Sequence, residues 1–450
     1  MLFNNHNKKG VERKMRMLRN IVLLGIVACS LVLADEAVKI KLTLDDAKSM
    51  ALEASPTLAA AQAQVAAAQA AVAQAKSAYY PTLDLTAGLT RNRDRATRPD
   101  RDYDNNTTYS MGLAASYTLF DGFQRRCNVL IAEMGANTAL SSCVDAQRLL
   151  LNNVSNAFLS ALLAQDGMNI AKEDADFNRV LLDDARKRNE GGIATSSEVL
   201  NFELQVGNAE VNYINASNAW KVSIVALGNL LAMSQDDIWE KIELVQPGPD
   251  IDHGYTLEEM LTYASSHRPD LQSLDNQIAV ARTGIEAARG TWYPHVGLFY
   301  NYGYERESSA HFNDHYDRNI SYGISLSWNL FSGGRTRALI NEAEANLAST
   351  LKKREELSLA IDAEIRQGYL ALQSSRERLT LQEKILETAK KIRDLVRYEY
   401  IGGTASITRL NEVQTDVTNS ASACSQARIQ VYNNLESLKA SAGRNLPAEN

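Results

Sequence analysis

The second half of this 450-residue chain repeats the first, and two copies of one unit in a chain pack as like units about a common axis. Ala78 to Leu85, centred on Tyr80-Pro81, returns 213 residues later as Thr291 to Leu298, centred on Tyr293-Pro294. Tyr117 to Phe123 returns 211 residues later as Trp328 to Gly334. Upstream, Thr43 and Pro56 match Thr256 and Pro269; downstream, Gly192 matches Gly403. Spacing held over so long a stretch means that one structural unit is used twice. The contents of the unit then show what the axis encloses.

Each unit carries two segments of period-two alternation. Leu83, Leu85, Ala87 and Leu89 alternate with Asp84, Thr86, Gly88 and Thr90. Tyr109, Met111, Leu113, Ala115, Tyr117 and Leu119 alternate with Ser110, Gly112, Ala114, Ser116 and Thr118. In the second unit Val296, Leu298, Tyr300, Tyr302 and Tyr304 alternate with Gly297, Phe299, Asn301, Gly303 and Glu305. Ile320, Tyr322, Ile324, Leu326, Trp328 and Leu330 alternate with Ser321, Gly323, Ser325, Ser327 and Asn329. Strands of about ten residues, rising about 3.3 Å per residue and tilted, cross the apolar band of an outer membrane. Aromatic residues gather at the strand ends (Tyr79, Tyr80, Trp292, Tyr293, Phe120 and Phe331), as an interfacial girdle facing outer membrane lipids requires. An ordinary antiparallel sheet with one wet face explains one such strand; four in matched pairs favour the membrane.

Proline shows where helices run. All eight prolines lie outside 100–246 and 295–446. In those intervals Gln124 to Glu190 and Thr336 to Ile401 are rich in Ala, Leu, Glu, Gln, Arg and Lys, and each run ends at a glycine pair, Gly191-Gly192 and Gly402-Gly403. Some seventy residues make on the order of 100 Å of helix, too long for a globular core, so it packs lengthwise in a coiled-coil-like wall. Shorter helices, Ser196 to Met233 with Thr57 to Tyr79, and Thr408 to Ser441 with Asp270 to Trp292, supply the return path. Thr43 with Asp46 and Thr256 with Glu259 read as capping boxes in segments that would belt the middle.

The expected organisation follows: a signal peptide over 1–34; a belt segment over 35–56; a first repeat over 57–233 with strands near 82–91 and 108–120; a linker and belt over 234–269; a second repeat over 270–441 with strands near 295–305 and 319–331; and a tail over 442–450. Residues 1–20 are basic, Ile21 to Ala34 is an apolar run too short to span a bilayer, and Val32-Leu33-Ala34 offers a small-residue cleavage site. A lipoprotein signal, with Cys29 acylated, is the minor reading; the apolar run continuing past Cys29 favours ordinary cleavage. Removing the six basic and one acidic residue of 1–34 from totals of 47 and 54 leaves 41 against 53, an acidic chain unsuited to nucleic acid. Cys127, Cys143 and Cys424 have neither metal-ligand spacing nor a redox-pair motif and read as unpaired thiols.

Four strands in one chain leave two open edges, which hydrocarbon does not tolerate. Two chains would make an eight-stranded barrel, largely filled by its own side chains; three make twelve strands and an open lumen lined by small polar residues. A homotrimer is the smallest closed assembly that conducts.

The duplicated Tyr-Pro strand entry, the strand exits Leu119-Phe120-Asp121-Gly122 and Leu330-Phe331-Ser332-Gly333, and the glycine tip turns resemble those of the TolC-like outer membrane factors. The resemblance covers about residues 38 to 443. It implies a mixed α and β membrane protein: a trimeric 12-stranded outer-membrane β-barrel, four strands per chain, continuous with a long periplasmic α-helical barrel. It further implies the outer membrane channel of a tripartite efflux pump or type I secretion system, located in the outer membrane and extending into the periplasm. The channel would conduct passively after docking a periplasmic adaptor (membrane fusion) protein and, through it, an inner-membrane transporter whose class the sequence leaves open. Gating and adaptor docking would fall to the periplasmic tips: Arg186, Gly191, Gly192, Ile193 and Glu198 at the first turn, and Arg397, Gly402, Gly403, Thr408, Arg409, Asn411 and Glu412 at the second. Relatives in this family place aspartates at the second turn where this chain has Thr408 and Asn411. Arg186, Arg397 and Arg409 are the cations available there for polar links, with Glu198 and Glu412 as partners.

No catalytic constellation, cofactor motif or phosphate-binding loop emerges, so an enzyme is not expected. His311 and His315, with Asp314, lie in a polar loop between strands, where solvated side chains are the favoured reading over a metal site. Two other readings remain. A soluble periplasmic coiled-coil scaffold leaves the strands unexplained, and a general diffusion porin leaves more than 250 residues of helix without purpose.

Overall fold

The computed structural model describes residues 40–95, 103–233, 238–248, 254, 256–307 and 309–446. The expected signal segment 1–34 and Cys29 lie outside these described residues.

A short strand β1 (Ile40–Leu42) leads to α1 (Leu44–Ala54) and α2 (Pro56–Ser77), then to strands β2 (Thr82–Arg95) and β3 (Tyr103–Phe120). The long helix α3 (Gln124–Glu190) turns into α4 (Ser196–Leu230). After α5 (Ile238–Lys241) and β4 (Ile242–Leu244) the pattern recurs: α6 (Leu257–His267), α7 (Pro269–Gly290), β5 (His295–Glu307), β6 (Arg318–Ser327), α8 (Arg335–Ile401) and α9 (Ile407–Ala442). Both long helices have 67 residues, about 100 Å each. Their equal length follows from the duplication: without matching ends the two tip turns would not lie at one level.

Local chemistry sets the boundaries. Thr43 and Thr256 each accept from the backbone three residues on, while Asp46 and Glu259 reach back, so both capping boxes form. Pro56 and Pro269 open α2 and α7 at the one turn where a missing N–H costs nothing. Strands β1 and β4 pair in parallel, tying the two belt segments together beside a core that includes Leu42, Val154, Phe158, Ile238 and Tyr432. On the same level Glu436 takes Lys48 at 2.5 Å and Lys439 at 2.9 Å. Burial pushes that carboxyl up, but the two ammonium groups outweigh it and hold it below the ordinary glutamate value. The Arg268 guanidinium joins Asp270, Glu364 and the Ser441 carbonyl, clamping the start of α7 to the end of α9. Cys127, Cys143 and Cys424 are free and buried.

The four long strands form one antiparallel sheet in the order β2-β3-β5-β6. Its register carries two faces across the whole sheet. Leu85 opposes Leu113, which opposes Tyr302, which opposes Ile320; on the other face Thr86 opposes Gly112, then Gly303, then Asn319. A slip of one residue would send each leucine to the polar side, so this register is the one a two-solvent sheet must take. On the polar face Phe299 lies against Gly323, where an added Cβ would come within 3.0 Å of the ring. The structure differs from the sequence reading at strand ends. β2 and β3 run further, to Arg95 and from Tyr103, while β6 stops at Ser327 rather than near 331. His295, which follows Pro294, is the last partner that β5 offers, so residues beyond Ser327 have no ladder to join on that side.

Sheet and helices meet at a tight joint. Gly122 (φ +66°) and Phe123 (φ 68°) turn the chain into α3, and Asp121 accepts from the backbone and side chain of Arg125. Arg125 in turn donates to the carbonyls of Thr118 and Leu119, spent by no partner strand. Gly122 and Gly290 approach so closely that a Cβ on Gly122 would stand 2.3 Å from the Gly290 oxygen. Phe120, Phe123 and Tyr293 close the joint edge to face.

Gly122→Ala combines left-handed strain with backbone overlap and should lower stability by about 2 kcal/mol or more, read as the unfolding midpoint in mild detergent. Gly192→Ala, with φ +76° but open space around it, should cost only about 1 kcal/mol. Equal losses would show that the close approach contributes nothing.

Candidate functional site

The two tip turns are built alike. Gly191 and Gly402 continue the helical conformation, and Gly192 (φ +76°) and Gly403 (φ +80°) then reverse the chain. That left-handed geometry is open to glycine and strained for other residues. Thr195 and Ser406 cap the following helices by accepting from the backbones of Glu198 and Arg409, each at 3.3 Å. Ile193 is left 74% exposed at the extremity, and Ile401 is exposed beside the second turn.

Between the turns the four helices share one small core: Leu181 and Ala185 from α3, Phe202 from α4, Tyr400 from α8, Leu410 and Val413 from α9. Tyr400 is its pivot. The ring is buried edge-on to Phe202 at 6.2 Å, with the Arg188 guanidinium 5.1 Å from its centroid. Its hydroxyl donates to the Glu198 carboxylate, joining the hairpin α3–α4 to the hairpin α8–α9. Burial first, then the bond to Glu198, push the phenol far above its ordinary range. Nearby, Asn411 donates to Asn201 at 3.1 Å, a second link between the hairpins. A cleft of about 360 Å³ opens between the turns, lined by Arg188, Glu198, Asn201, Tyr400, Gly403 and Ser406.

The residues singled out from sequence are all at this end, in partnerships other than those expected. Arg186 reaches Glu203 at 2.5 Å, not Glu198. Arg397 lies over the Phe177 ring at 5.7 Å. Arg409 pairs with Glu412 within one turn of α9, at 3.2 Å and exposed to water, where such a pair is worth about 0–1 kcal/mol. Thr408 is exposed in the first turn of α9. Sequence reasoning missed Tyr400, Arg188, Asn201 and Glu203. A signal for Tyr400 was present: the 211-residue offset aligns it with Asn189, which bonds only within its own turn, to the Ala194 carbonyl. A large aromatic at a position the first repeat fills with a local cap marks where the repeats diverge. In the polar loop between β5 and β6, Asp314 accepts from Tyr304 and pairs with Arg318. Among the described residues no cluster of three or more His, Cys, Asp or Glu could hold a metal ion, and no helix is long and apolar enough to cross a membrane.

The model of the outer membrane efflux protein family matches residues 47–233 and 261–444. Among curated proteins, the chain is 26% identical over 372 residues to the alkaline protease secretion protein AprF of Pseudomonas aeruginosa, covering 78% of this chain and 74% of that one. It is 26% identical over 380 residues to the protein CyaE of Bordetella pertussis, covering 83% and 78%. Among solved structures, the Campylobacter jejuni CmeC outer membrane channel superposes with a TM-score of 0.76 at 17% identity, covering 90% of this chain and 87% of that one. CusC, described as a transmembrane channel, superposes at 0.75 with 16% identity, covering 92% and 95%.

A double-mutant cycle measures the Tyr400–Glu198 link. Tyr400→Phe and Glu198→Gln should each destabilise the tip, and their coupling should be about 1 kcal/mol or more, since the acceptor is charged and the donor buried. Additive losses in detergent unfolding would mean that the two groups do not act together.

Proposed function

The chain belongs to the outer membrane efflux protein family, and from that membership we propose a working assembly of three copies: twelve strands across the outer membrane and twelve helical columns enclosing a periplasmic tunnel. The protein is an outer membrane channel of the efflux and secretion type. The observation that carries the trimer is the sheet itself. Four strands have two faces matched across every register pair, one apolar and one small and polar, and both outer edges, β2 and β6, are unpaired within the chain. Joining β6 of one copy to β2 of the next repeats the β3–β5 pairing already made inside the chain. The apolar face, where Leu85, Ile324 and Leu326 are each more than 60% exposed, then meets lipid.

Substrate moves through such a duct down its own gradient. The energy comes from an inner-membrane transporter joined to the duct by a periplasmic adaptor. The cleft between the tip turns and the exposed Ile193 and Ile401 form the surface the adaptor would engage. In the isolated chain the Tyr400–Glu198 and Asn411–Asn201 links hold the hairpins together, which is the resting, closed tip; an adaptor that separates the hairpins breaks them together. Cargo follows the partner pump. The printed names of relatives span an alkaline protease secretion protein and a pyoverdine export protein, so the duct reading covers both large and small cargo.

Mass measurement in mild detergent should show three chains; a stable monomer refutes the closure argument. Ile193→Glu with Ile401→Glu should reduce adaptor co-purification severalfold without changing that mass, and undiminished capture would move the docking surface elsewhere. The latch also has a pH signature. Because the phenol of Tyr400 is raised in the closed tip, its contribution to closure is complete below the ordinary phenol value of 10 and is lost as pH rises above it. Single-channel conductance should therefore climb on the alkaline side of that value in the parent. In Tyr400→Phe it should already be raised at neutral pH, with no such climb.

A further inference from the structure

The helical wall has two kinds of lengthwise seam. Inside the chain, α3 lies against α9. Since α8 follows α3 and α9 follows α4 at the same 211-residue offset, the seam α3–α9 has a counterpart, α8 against α4 of a neighbouring copy. Its residues are read off by the offset.

Inside the chain the seam below the belt is polar. Ser425 donates to Asp166 at 2.5 Å, and Gln414 and Thr418 donate to Asp174 at 2.7 and 3.1 Å. A cavity of about 200 Å³ opens there between α3, α4 and α9, lined by Asp174, Asn178, Asn212, Gln414 and Thr418. The Gln414 Oε1 is buried in it without a hydrogen-bond partner. A space of that size and polarity holds water.

Between chains the matched positions are apolar. Asp174 and Asn178 become Ile385 and Ala389; Asn411, Thr415 and Thr418 become Leu200, Leu204 and Gly207. Leu200, Leu204, Val211, Ile214 and Val222 fall within about 40° of one line along α4, at 100° per residue. On α8, Leu359, Leu370, Leu381 and Ile392 recur every eleven residues, a period of about 3.67 per turn that keeps a stripe nearly parallel to the axis. All nine are 41–68% exposed in the single chain, and Gly207 lets the backbones approach.

We propose that α8 of one copy zips dry against α4 of the next along these stripes and stays shut, while the wet α3–α9 seam inside each chain parts when the tips open. The proposal rests on the channel reading above. Parting α3 from α9 exchanges bonds among carboxylate, amide and hydroxyl groups for bonds to water already admitted to the cavity; parting α8 from α4 would expose leucine. The Tyr400–Glu198 and Asn411–Asn201 links also join the two hairpins of one chain, so the latch and the wet seam release the same boundary.

Matched disulfides test it in a chain carrying Cys127→Ala, Cys143→Ala and Cys424→Ala. Asp174→Cys with Thr418→Cys locks the inner seam; Ile385→Cys with Gly207→Cys locks the outer one. On oxidation the outer pair should give covalently linked trimers in denaturing gels and the inner pair an internally bonded monomer. No interchain ladder would overturn the zipper. With the latch removed by Tyr400→Phe and Glu198→Gln, the inner bond should return conductance to the closed level and the outer bond should leave it open. Block by the outer bond, alone or equally, would overturn the choice of seam. A measurement independent of opening uses the reduced assembly. A charged maleimide should label Asn212→Cys severalfold faster than Leu204→Cys, and equal rates would refute the wet–dry difference. Failure of the channel reading itself would show earlier, as a monomer mass before any oxidation.

Discussion

The structure depends on one constraint: backbone N–H and C=O groups cannot go unpaired in hydrocarbon, where each costs several kcal/mol. Strands β2 and β6 each pair on one side only within the chain, so the sheet is incomplete as it stands. The duplication supplies the remedy. The join that β3 and β5 make inside the chain is a join between the end of one repeat and the start of the other, and the same surfaces are presented again by β6 and β2. Closure by further copies needs no new kind of contact.

The helices inherit this geometry through the joint at Asp121 to Arg125. A strand crossing lipid at a tilt must become a helix aligned with the tunnel over a few residues. Two left-handed residues make the turn, and Arg125 covers the carbonyls the ending strand leaves over. The second repeat makes the same turn with Gly333 and Gly334, at φ +61° and +87°, and with Ser332 and Thr336 in place of Asp121 and Arg125. The belt then fixes the middle. The parallel pair β1–β4 and the Arg268 and Glu436 clusters bind residues far apart in sequence at a level where α3 and α9 also share apolar packing.

Below the belt the two repeats diverge, and function resides in the divergence. At equivalent positions one repeat has Asn189 and the other Tyr400, one has Glu198 and the other Arg409, one has Leu204 and the other Thr415. Identical hairpins would give a wall of equivalent seams with no preferred place to open. Unequal ones make a boundary inside each chain that differs chemically from the boundary between chains.

The sequence by itself determined the repeat, the alternating strands, the uninterrupted helices and their glycine ends, because these depend on period, on proline and glycine, and on capping residues acting within a few positions. Thr43 with Asp46 and Gly192 with Gly403 are legible in this way. Strand ends were less so: β6 stops at Ser327 because β5 has no earlier partner to offer, a fact about the neighbour and not about Trp328 or Leu330. At the tips, spacing brought Arg186, Glu198, Arg409 and Glu412 to one end but could not pair them. Which cation meets which carboxylate depends on the rotation of each helix about its axis and on contacts between hairpins some 200 residues apart. Only the tertiary structure decided that Glu198 takes the Tyr400 hydroxyl while Arg409 stays on its own helix, because burial of the aromatic ring among four helices outweighs an exposed ion pair that water already solvates.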